Sequence, residues 1–265
     1  MNFKEFVEYR KDIKLSDNQS ILVDKLSNFL ESKIGPQCFI LTGSAGSGKT
    51  FVGSLIKEFS SSSTYIFTPT GRAAKIFRSM IRRFEDRELI STIHHGIYSR
   101  QKTLNVYMAG KEKKPENIVK SRIIFDICDN LNSNQAVYIC DESSMISDEK
   151  NFNSGLEFGS GKLLTDLFTH IEDRKIIFIG DNAQLTPINM NFSPALNKNY
   201  ISKNFNVEID EYNLDEVVRQ KKDSGILKNA THLRNNVIKN FPKEVELVAF
   251  NDRSEERRVG KECER

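Results

Sequence analysis

A glycine-rich segment, GSAGSGKT at residues 43–50, constrains the fold of this chain more than any other sequence feature. It fits the pattern G-x-x-x-x-G-K-[ST], follows a short apolar run at residues 38–41 and opens a stretch with helical spacing at residues 49–60. Glycines in this setting let consecutive backbone N–H groups turn toward an anion, and the helix N-terminus adds partial positive charge. The alternative is a plain Gly/Ser linker between strand and helix. In this context the pattern predicts a phosphate-binding loop made of Gly43, Ser44, Ala45, Gly46, Ser47, Gly48, Lys49 and Thr50.

Two side chains at the end of this loop have the chemistry that a bound nucleoside triphosphate requires. The Lys49 ammonium can reach the β- and γ-phosphates, and the Thr50 hydroxyl can bind Mg²⁺. We therefore expect a nucleotide with Mg²⁺ as the ligand of the loop.

Short apolar runs alternate with segments of helical periodicity along most of the chain. The strand-like runs lie at residues 38–41, 65–67, 136–140 and 176–179, and the helical segments at residues 16–34, 49–60, 71–83 and 163–171. Further candidates are strands at residues 207–209 and 245–250 and a helix near residues 224–238. This alternation predicts an α/β fold, with a parallel sheet covered by helices on both faces. We expect one such domain over residues 1–252.

The composition excludes several classes of protein. The 265 residues are 38% hydrophobic and 28% charged, which is ordinary for a globular domain. No apolar run has the roughly 18 residues that span a bilayer, and the N-terminus does not resemble a signal peptide, so we expect a cytoplasmic protein without membrane contact. The net charge of only +3 means that nucleic-acid binding would depend on local basic patches.

Polar residues follow two of the apolar runs directly. Asp141 and Glu142 come after residues 136–140, and the sequence GDNAQ, ending at Gln184, comes after residues 176–179. The carboxyl ends of parallel strands lie at the same edge of a sheet as the phosphate loop. We expect Asp141 to hold Mg²⁺, Glu142 to orient or deprotonate the attacking water, and Gln184 to sense the γ-phosphate. The alternative for the two acids is a charged turn.

Six motifs between about residues 15 and 250 occur in a fixed order: LTGSAGSGKT, TYIFTPTGRAAK, STIHHGIY, ICDESSMI, GDNAQLTPI and LDEVVRQ. The ordered set resembles the first RecA-like motor domain of a superfamily 1 DNA helicase, close to the RecD-like group that moves 5′ to 3′. The resemblance implies a RecA-like phosphate-loop NTPase fold, ATP and Mg²⁺ as ligands, and single-stranded DNA as the partner.

The resemblance also assigns roles to residues outside the loop. Gln19 matches the residue that reads adenine, although Ser16 and Gln19 also fit a helix capping box. Arg219 matches an arginine that contacts the γ-phosphate, and the alternative is a solvated cation at a helix end. Two segments match DNA contacts: Thr68, Pro69, Thr70, Gly71 and Arg72 in the first, and Thr92 and His94 in the second. A plain strand–turn–helix is the alternative for the first segment.

The chain departs from this family in two respects. The second RecA-like domain is absent from the sequence, so we expect a truncated, monomeric motor domain that needs that partner in cis and does not unwind DNA alone. The family's small inserted domain would lie at about residues 97–135, with possible hairpin arms at residues 105–108 and 123–125. Two other functions remain open, an NTPase that acts on a partner other than DNA and a nucleotide-binding switch module.

The C-terminal residues 253–265 have no periodicity and almost no apolar side chain. The string RSEERRVGKEC at residues 253–263 resembles the translation of a common sequencing adapter. A solvated, charged tail is the alternative. We expect this tail to be non-native and not to belong to the folded domain.

Deleting residues 253–265 is expected to change the free energy of unfolding by no more than about 0.5 kcal/mol, because such a tail was not selected to pack. Thermal denaturation of the full and shortened chains measures the effect. A large drop in melting temperature would show that the tail belongs to the fold.

Overall fold

The computed structural model describes residues 1–60, 63–107, 118–150, 155–214, 229 and 232–234. The helices are α1 (Phe3–Tyr9), α2 (Asp17–Glu31), α3 (Lys49–Phe59), α4 (Gly71–Met80), α5 (Ile93–Ile97), α6 (Leu163–Ile171) and α7 (Lys198–Phe205). The strands are β1 (Cys38–Gly43), β2 (Thr64–Thr68), β3 (Ile90–Thr92), β4 (Tyr98–Tyr107), β5 (Ile118–Ile127), β6 (Val137–Cys140), β7 (Leu156–Phe158), β8 (Lys175–Gly180) and β9 (Ile209–Leu214). Short 3₁₀ turns occupy Glu85–Leu89, Ser143–Met145 and Pro194–Leu196.

A six-stranded sheet with the order β3-β2-β6-β8-β1-β9 forms the centre of the fold. Every neighbouring pair in it is parallel, so all six strands present their carboxyl ends at one edge. Alternate residues of each strand enter two separate apolar cores. Phe39 and Leu41 pack with α1, α2, α3 and α4 on one face, whereas Cys38 and Ile40 pack with α5, α6 and α7 on the other. The predicted α/β class, a RecA-like parallel sheet with helices on both faces, is confirmed.

A second, three-stranded sheet has the order β4-β5-β7. β4 and β5 form an antiparallel hairpin, and β7 pairs with β5 in parallel. Each hairpin strand has ten residues, so both arms are longer than the expected segments at residues 105–108 and 123–125. The sequence predicts only part of the length of each arm, because antiparallel backbone pairing does not require an apolar run and the sequence of β4 is largely polar. That residues 97–135 form a separate inserted unit stays a prediction.

Several other elements differ from expectation, since β3, β7, α5 and α7 match no predicted segment. α1 was not predicted, although Asn2 and Glu5 form a complete capping box at its start. The strand expected at residues 207–209 is instead β9, Ile209–Leu214, which pairs with β1 at the sheet edge. Its sequence, IDEYNL, lacks an apolar run, because a strand at the edge of a sheet has a neighbouring strand on one side only and its side chains are less completely buried. The candidate strand at residues 245–250 and nearly all of the helix near residues 224–238 lie outside the described residues.

The described helices include none with the length and apolar character needed to cross a bilayer.

Gly96 in α5 packs against the aromatic ring of Phe67. A Cβ atom at position 96 would lie 2.3 Å from Phe67 Cε1, far inside van der Waals contact. Gly96→Ala is therefore expected to destabilise the protein by about 1–3 kcal/mol through overpacking. Gly71→Ala is the matched control, because a Cβ at position 71 meets nothing within 4 Å. Equal melting temperatures for the two variants would contradict the prediction.

Candidate nucleotide and nucleic-acid site

The glycine-rich segment forms a tight turn between β1 and α3. Gly48 at the N-cap of α3 has φ of 96°, a left-handed value, and a Cβ there would lie 2.5 Å from the Gln19 side chain. A Cβ at Gly43 would lie 2.3 Å from the Leu214 carbonyl oxygen. Larger residues cannot occupy either position without displacing a neighbour, so the backbone itself requires these two glycines.

The Lys49 ammonium folds back over the loop. Its Nζ donates to the carbonyl oxygens of Gly43 at 3.0 Å and Ser44 at 2.8 Å. Burial lowers the pKa of Lys49, an effect that the nearby Asp181 carboxylate opposes. The Ser47 hydroxyl oxygen is fully buried and has no hydrogen-bond partner among the described residues. An orphaned hydroxyl beside a cation fits a loop that would take phosphate oxygens as its partners.

The two predicted metal ligands lie together at the carboxyl edge of the sheet. Asp141 follows β6, and the Thr50 side chain at the start of α3 lies close enough to its carboxylate to oppose the rise in the pKa of Asp141. Burial raises the pKa of Asp141 to about 6, with a further contribution from the negative charge of Glu142. Mg²⁺ is usually bound by one or two carboxylates together with substrate phosphates. Thr50 and Asp141 therefore fit the Mg²⁺ of a bound nucleotide.

Glu142 has a strained backbone. Its φ of 57° lies in the left-handed region, which is uncommon for a residue other than glycine. The Asp141 carboxylate accepts the Glu142 backbone N–H at 3.0 Å, and a 3₁₀ turn begins at the next residue. This conformation leaves the Glu142 side chain half-exposed beside Asp141, where a water-activating carboxylate is expected.

Gln184 lies in the turn after β8, as expected, and links two strand ends. Its side-chain oxygen is 3.5 Å from the Ser144 hydroxyl, which belongs to the turn that follows Asp141 and Glu142. Asp181, at the start of the same turn, accepts the Ala183 backbone N–H at 2.9 Å.

Arg234 is a site residue that the sequence analysis missed. Its guanidinium forms a largely buried ion pair with Asp181, beside the phosphate loop. Nothing in the local sequence distinguishes Arg234 from other helix-surface cations, so only the tertiary structure could identify it. Arg219, the arginine that was predicted, lies outside the described residues.

Gln19 satisfies the capping-box alternative directly. Its side-chain oxygen accepts the Ser16 backbone N–H at 3.1 Å, while the Ser16 hydroxyl accepts the Gln19 backbone N–H at 3.4 Å. The Gln19 side-chain nitrogen also donates to the Ser47 carbonyl at 3.1 Å. Gln19 is thus a cap and a support of the phosphate loop, and its contact with adenine stays a prediction.

The two segments expected to contact DNA lie side by side. Thr68 at the end of β2 pairs in register with Thr92 at the end of β3. Thr70 caps α4 by accepting the Ala73 backbone N–H at 3.2 Å, and Thr92 caps α5 by accepting the His95 backbone N–H at 3.3 Å. Both helix starts therefore lie at the carboxyl edge of adjacent strands, on the same edge as the phosphate loop.

A groove of about 650 Å³ begins at the second of these segments. His94 contacts Phe158 and Tyr98, with ring centroids 5.0 and 5.7 Å apart. Leu185 and Ile188, which are 83% and 87% exposed, also line the groove. Of these groove residues only His94 was predicted from the sequence, although Tyr98, Leu185 and Ile188 all occur in the same motifs.

Comparison with known proteins places this chain in a family. The sequence matches the AAA domain family over residues 14–256, whereas no curated protein matches it. Similar solved structures include Bacteroides Pif1 bound to ssDNA, at 18% identity and a TM-score of 0.49, covering 85% of this chain and 47% of that one. Bacteroides sp Pif1 in complex with ADP-AlF4 is 19% identical with a TM-score of 0.45, covering 88% and 48%. The present chain thus spans about half the length of these two structures. The match over most of its length shows that the chain belongs to the AAA domain family.

Proposed function

We propose that this chain is the ATP-binding and ATP-hydrolysing motor domain of a superfamily 1 DNA helicase. The observation that carries the proposal is the close approach of the Thr50 side chain in the phosphate loop to the Asp141 carboxylate at the end of β6. It joins the predicted phosphate site and the predicted metal-binding acid at one sheet edge, with Glu142 as the next residue. Membership of the AAA domain family and the ordered motifs support the same function.

Each residue at the nucleotide site would perform one task. Lys49 would leave the loop carbonyls and bind the β- and γ-phosphates, while Thr50 and Asp141 would hold Mg²⁺, which neutralises charge that develops on the phosphates. Glu142 would accept a proton from the attacking water. Gln184 and Arg219 would contact the γ-phosphate, and Gln19 would contact adenine.

Single-stranded DNA would lie along the same edge of the sheet. Phosphates would be bound at the starts of α4 and α5, where backbone N–H groups and the Arg72 guanidinium can donate hydrogen bonds. The residues along this path are Thr68, Pro69, Thr70, Gly71, Arg72 and Thr92, and His94 leads into the aromatic groove. The contact between Ser144 and Gln184 links the turns after β6 and β8. A change at the γ-phosphate would therefore reach the metal-binding turn directly.

We propose three further features of the whole protein. A second RecA-like domain in cis would close the nucleotide cleft and alternate with this one in gripping the strand. The order of the motifs favours the RecD-like group that moves 5′ to 3′. We also propose that the protein acts as a monomer in the cytoplasm.

Two alternatives make different predictions. An NTPase with another partner would hydrolyse ATP without stimulation by single-stranded DNA. A nucleotide-binding switch would not need a water-activating carboxylate, so the position of Glu142 beside Asp141 favours an enzyme.

Lys49→Ala is expected to weaken nucleotide binding by about 10- to 150-fold. The reason is that the variant loses a charge-assisted hydrogen bond to the phosphates, which contributes about 1.5–3 kcal/mol. Titration with a fluorescent ATP analogue measures the affinity, and circular dichroism monitors the fold. Lys203→Ala on the exposed surface of α7 is the matched control. Unchanged affinity in the Lys49 variant would refute the phosphate-loop assignment.

Glu142→Gln is expected to retain ATP and Mg²⁺ binding but to lower DNA-stimulated hydrolysis by about 10²–10⁴-fold, because the amide cannot accept the proton. The assay compares ATP turnover with and without single-stranded DNA in a protein that includes the second motor domain. Glu208→Gln, at the opposite edge of the sheet, is the control. If DNA does not stimulate the unmodified protein, the helicase proposal fails, and turnover within a few-fold in the Glu142 variant would remove Glu142 from its role.

A further inference from the structure

A dense basic segment begins where the first predicted DNA-contacting segment ends. Residues 71–84 contain five Lys and Arg residues and no Asp or Glu, in a chain whose net charge is only +3. The five are Arg72, Lys75, Arg78, Arg82 and Arg83. Among the described carboxylates, Asp12 is the one that forms an ion pair with this set, at 3.1 Å from Arg82. Most of the positive charge therefore faces solvent without a carboxylate partner among the described residues.

The fold places these cations along one exposed surface. α4 buries Ala74 and Phe77 in the core and directs Lys75 and Arg78 outward. The helix has ten residues, so it extends about 15 Å from the carboxyl edge of β2 toward the opposite edge of the sheet. This surface is continuous with Thr70 and Arg72 but leads away from the nucleotide site.

Two arginines on this surface are held in place by backbone carbonyls. Arg78 Nε donates to the Ile90 carbonyl at 3.1 Å, and Arg87 donates to the Ile81 carbonyl through Nε at 3.0 Å and Nη2 at 2.8 Å. Guanidinium groups that are already oriented lose less conformational entropy when an anion binds them. The same side chains keep their positive charge, because a carbonyl neutralises nothing.

An exposed aromatic ring completes the surface. Phe84 is 73% exposed, and the Arg87 guanidinium lies 6.0 Å from its ring centroid. A shallow cavity of about 490 Å³ adjoins both residues and is also lined by Lys75, Arg78, Ser79 and Glu88. Spaced cations around an aromatic platform are the combination that binds phosphates and stacks bases without sequence preference.

We propose that the outer face of α4 and the turn that follows it bind the phosphodiester backbone of nucleic acid, as an extension of the path at the carboxyl edge. This basic track comprises Lys75, Arg78, Arg83, Phe84 and Arg87. The inference rests on the proposed DNA-binding function, and it adds a contact region that the sequence motifs do not include. Its continuity with Thr70 and Arg72 favours nucleic acid over an acidic protein partner.

The test uses the 265-residue chain and fluorescently labelled oligo(dT) of two lengths, about 6 and about 16 nucleotides, within the range of site sizes for single-strand binders. Fluorescence anisotropy gives affinity as a function of salt concentration. The test variant is Lys75→Gln/Arg83→Gln, which spares the carbonyl-bound arginines. The matched control is Lys33→Gln/Lys203→Gln, which removes two exposed charges near β1 and α7, away from α4.

For the longer oligonucleotide, the test variant should reduce the slope of log affinity against log salt by about 1.4, since each phosphate contact contributes about 0.7. With the shorter oligonucleotide, the test variant should give the same slope as the unmodified chain. The control variant should give the slope of the unmodified chain with both oligonucleotides. If the test variant and the control bind the longer oligonucleotide equally, the track does not contact nucleic acid and an acidic protein becomes the favoured occupant. Failure of the unmodified chain to bind either oligonucleotide would instead refute the proposed function.

Discussion

Parallel pairing of β1 with β8 on one side and β9 on the other is the constraint on which the site depends. This pairing places Gly43 against the Leu214 carbonyl, where no side chain fits, and so fixes where the phosphate loop begins. Because all six strands run in one direction, the turns after β6 and β8 project at the same edge. Residues more than ninety positions apart, such as Thr50 and Asp141, thereby come close together.

Buried polar groups outside the site hold the layers together. Asp166 is almost fully buried and accepts hydrogen bonds from the Tyr98 hydroxyl at 2.6 Å and from the Ser160 backbone N–H, which ties the hairpin sheet to α6. Lys57 is fully buried and lies 3.6 Å from Asp86, which ties α3 to the turn before β3. Buried charges persist only when they are paired or hydrogen-bonded, so we interpret these contacts as structural supports of the sheet and not as catalytic groups.

Prediction from sequence succeeded where one local signal was sufficient. β1, β2, β6 and β8 lie within a residue or two of the apolar runs, because strands covered on both faces must be apolar along their length. Prediction failed where partners decided the structure. β9 is a polar edge strand that exists through its pairing with β1, and β4 is a polar strand that exists through its pairing with β5. Gln19 illustrates an intermediate case, since the capping box was visible in the sequence but the contact with Ser47 was not.

The sequence by itself determined the glycine-rich turn, the positions of the central strands β1, β2, β6 and β8 and the acids that follow β6, because each is encoded by neighbouring residues. Only the tertiary structure decided which strands are adjacent, that Arg234 pairs with Asp181, and that His94 opens into an aromatic groove formed with Phe158. These contacts join distant parts of the chain. The free energy that favours these contacts comes from burying the side chains of two elements against each other. A local pattern of residues does not show which elements will pack together.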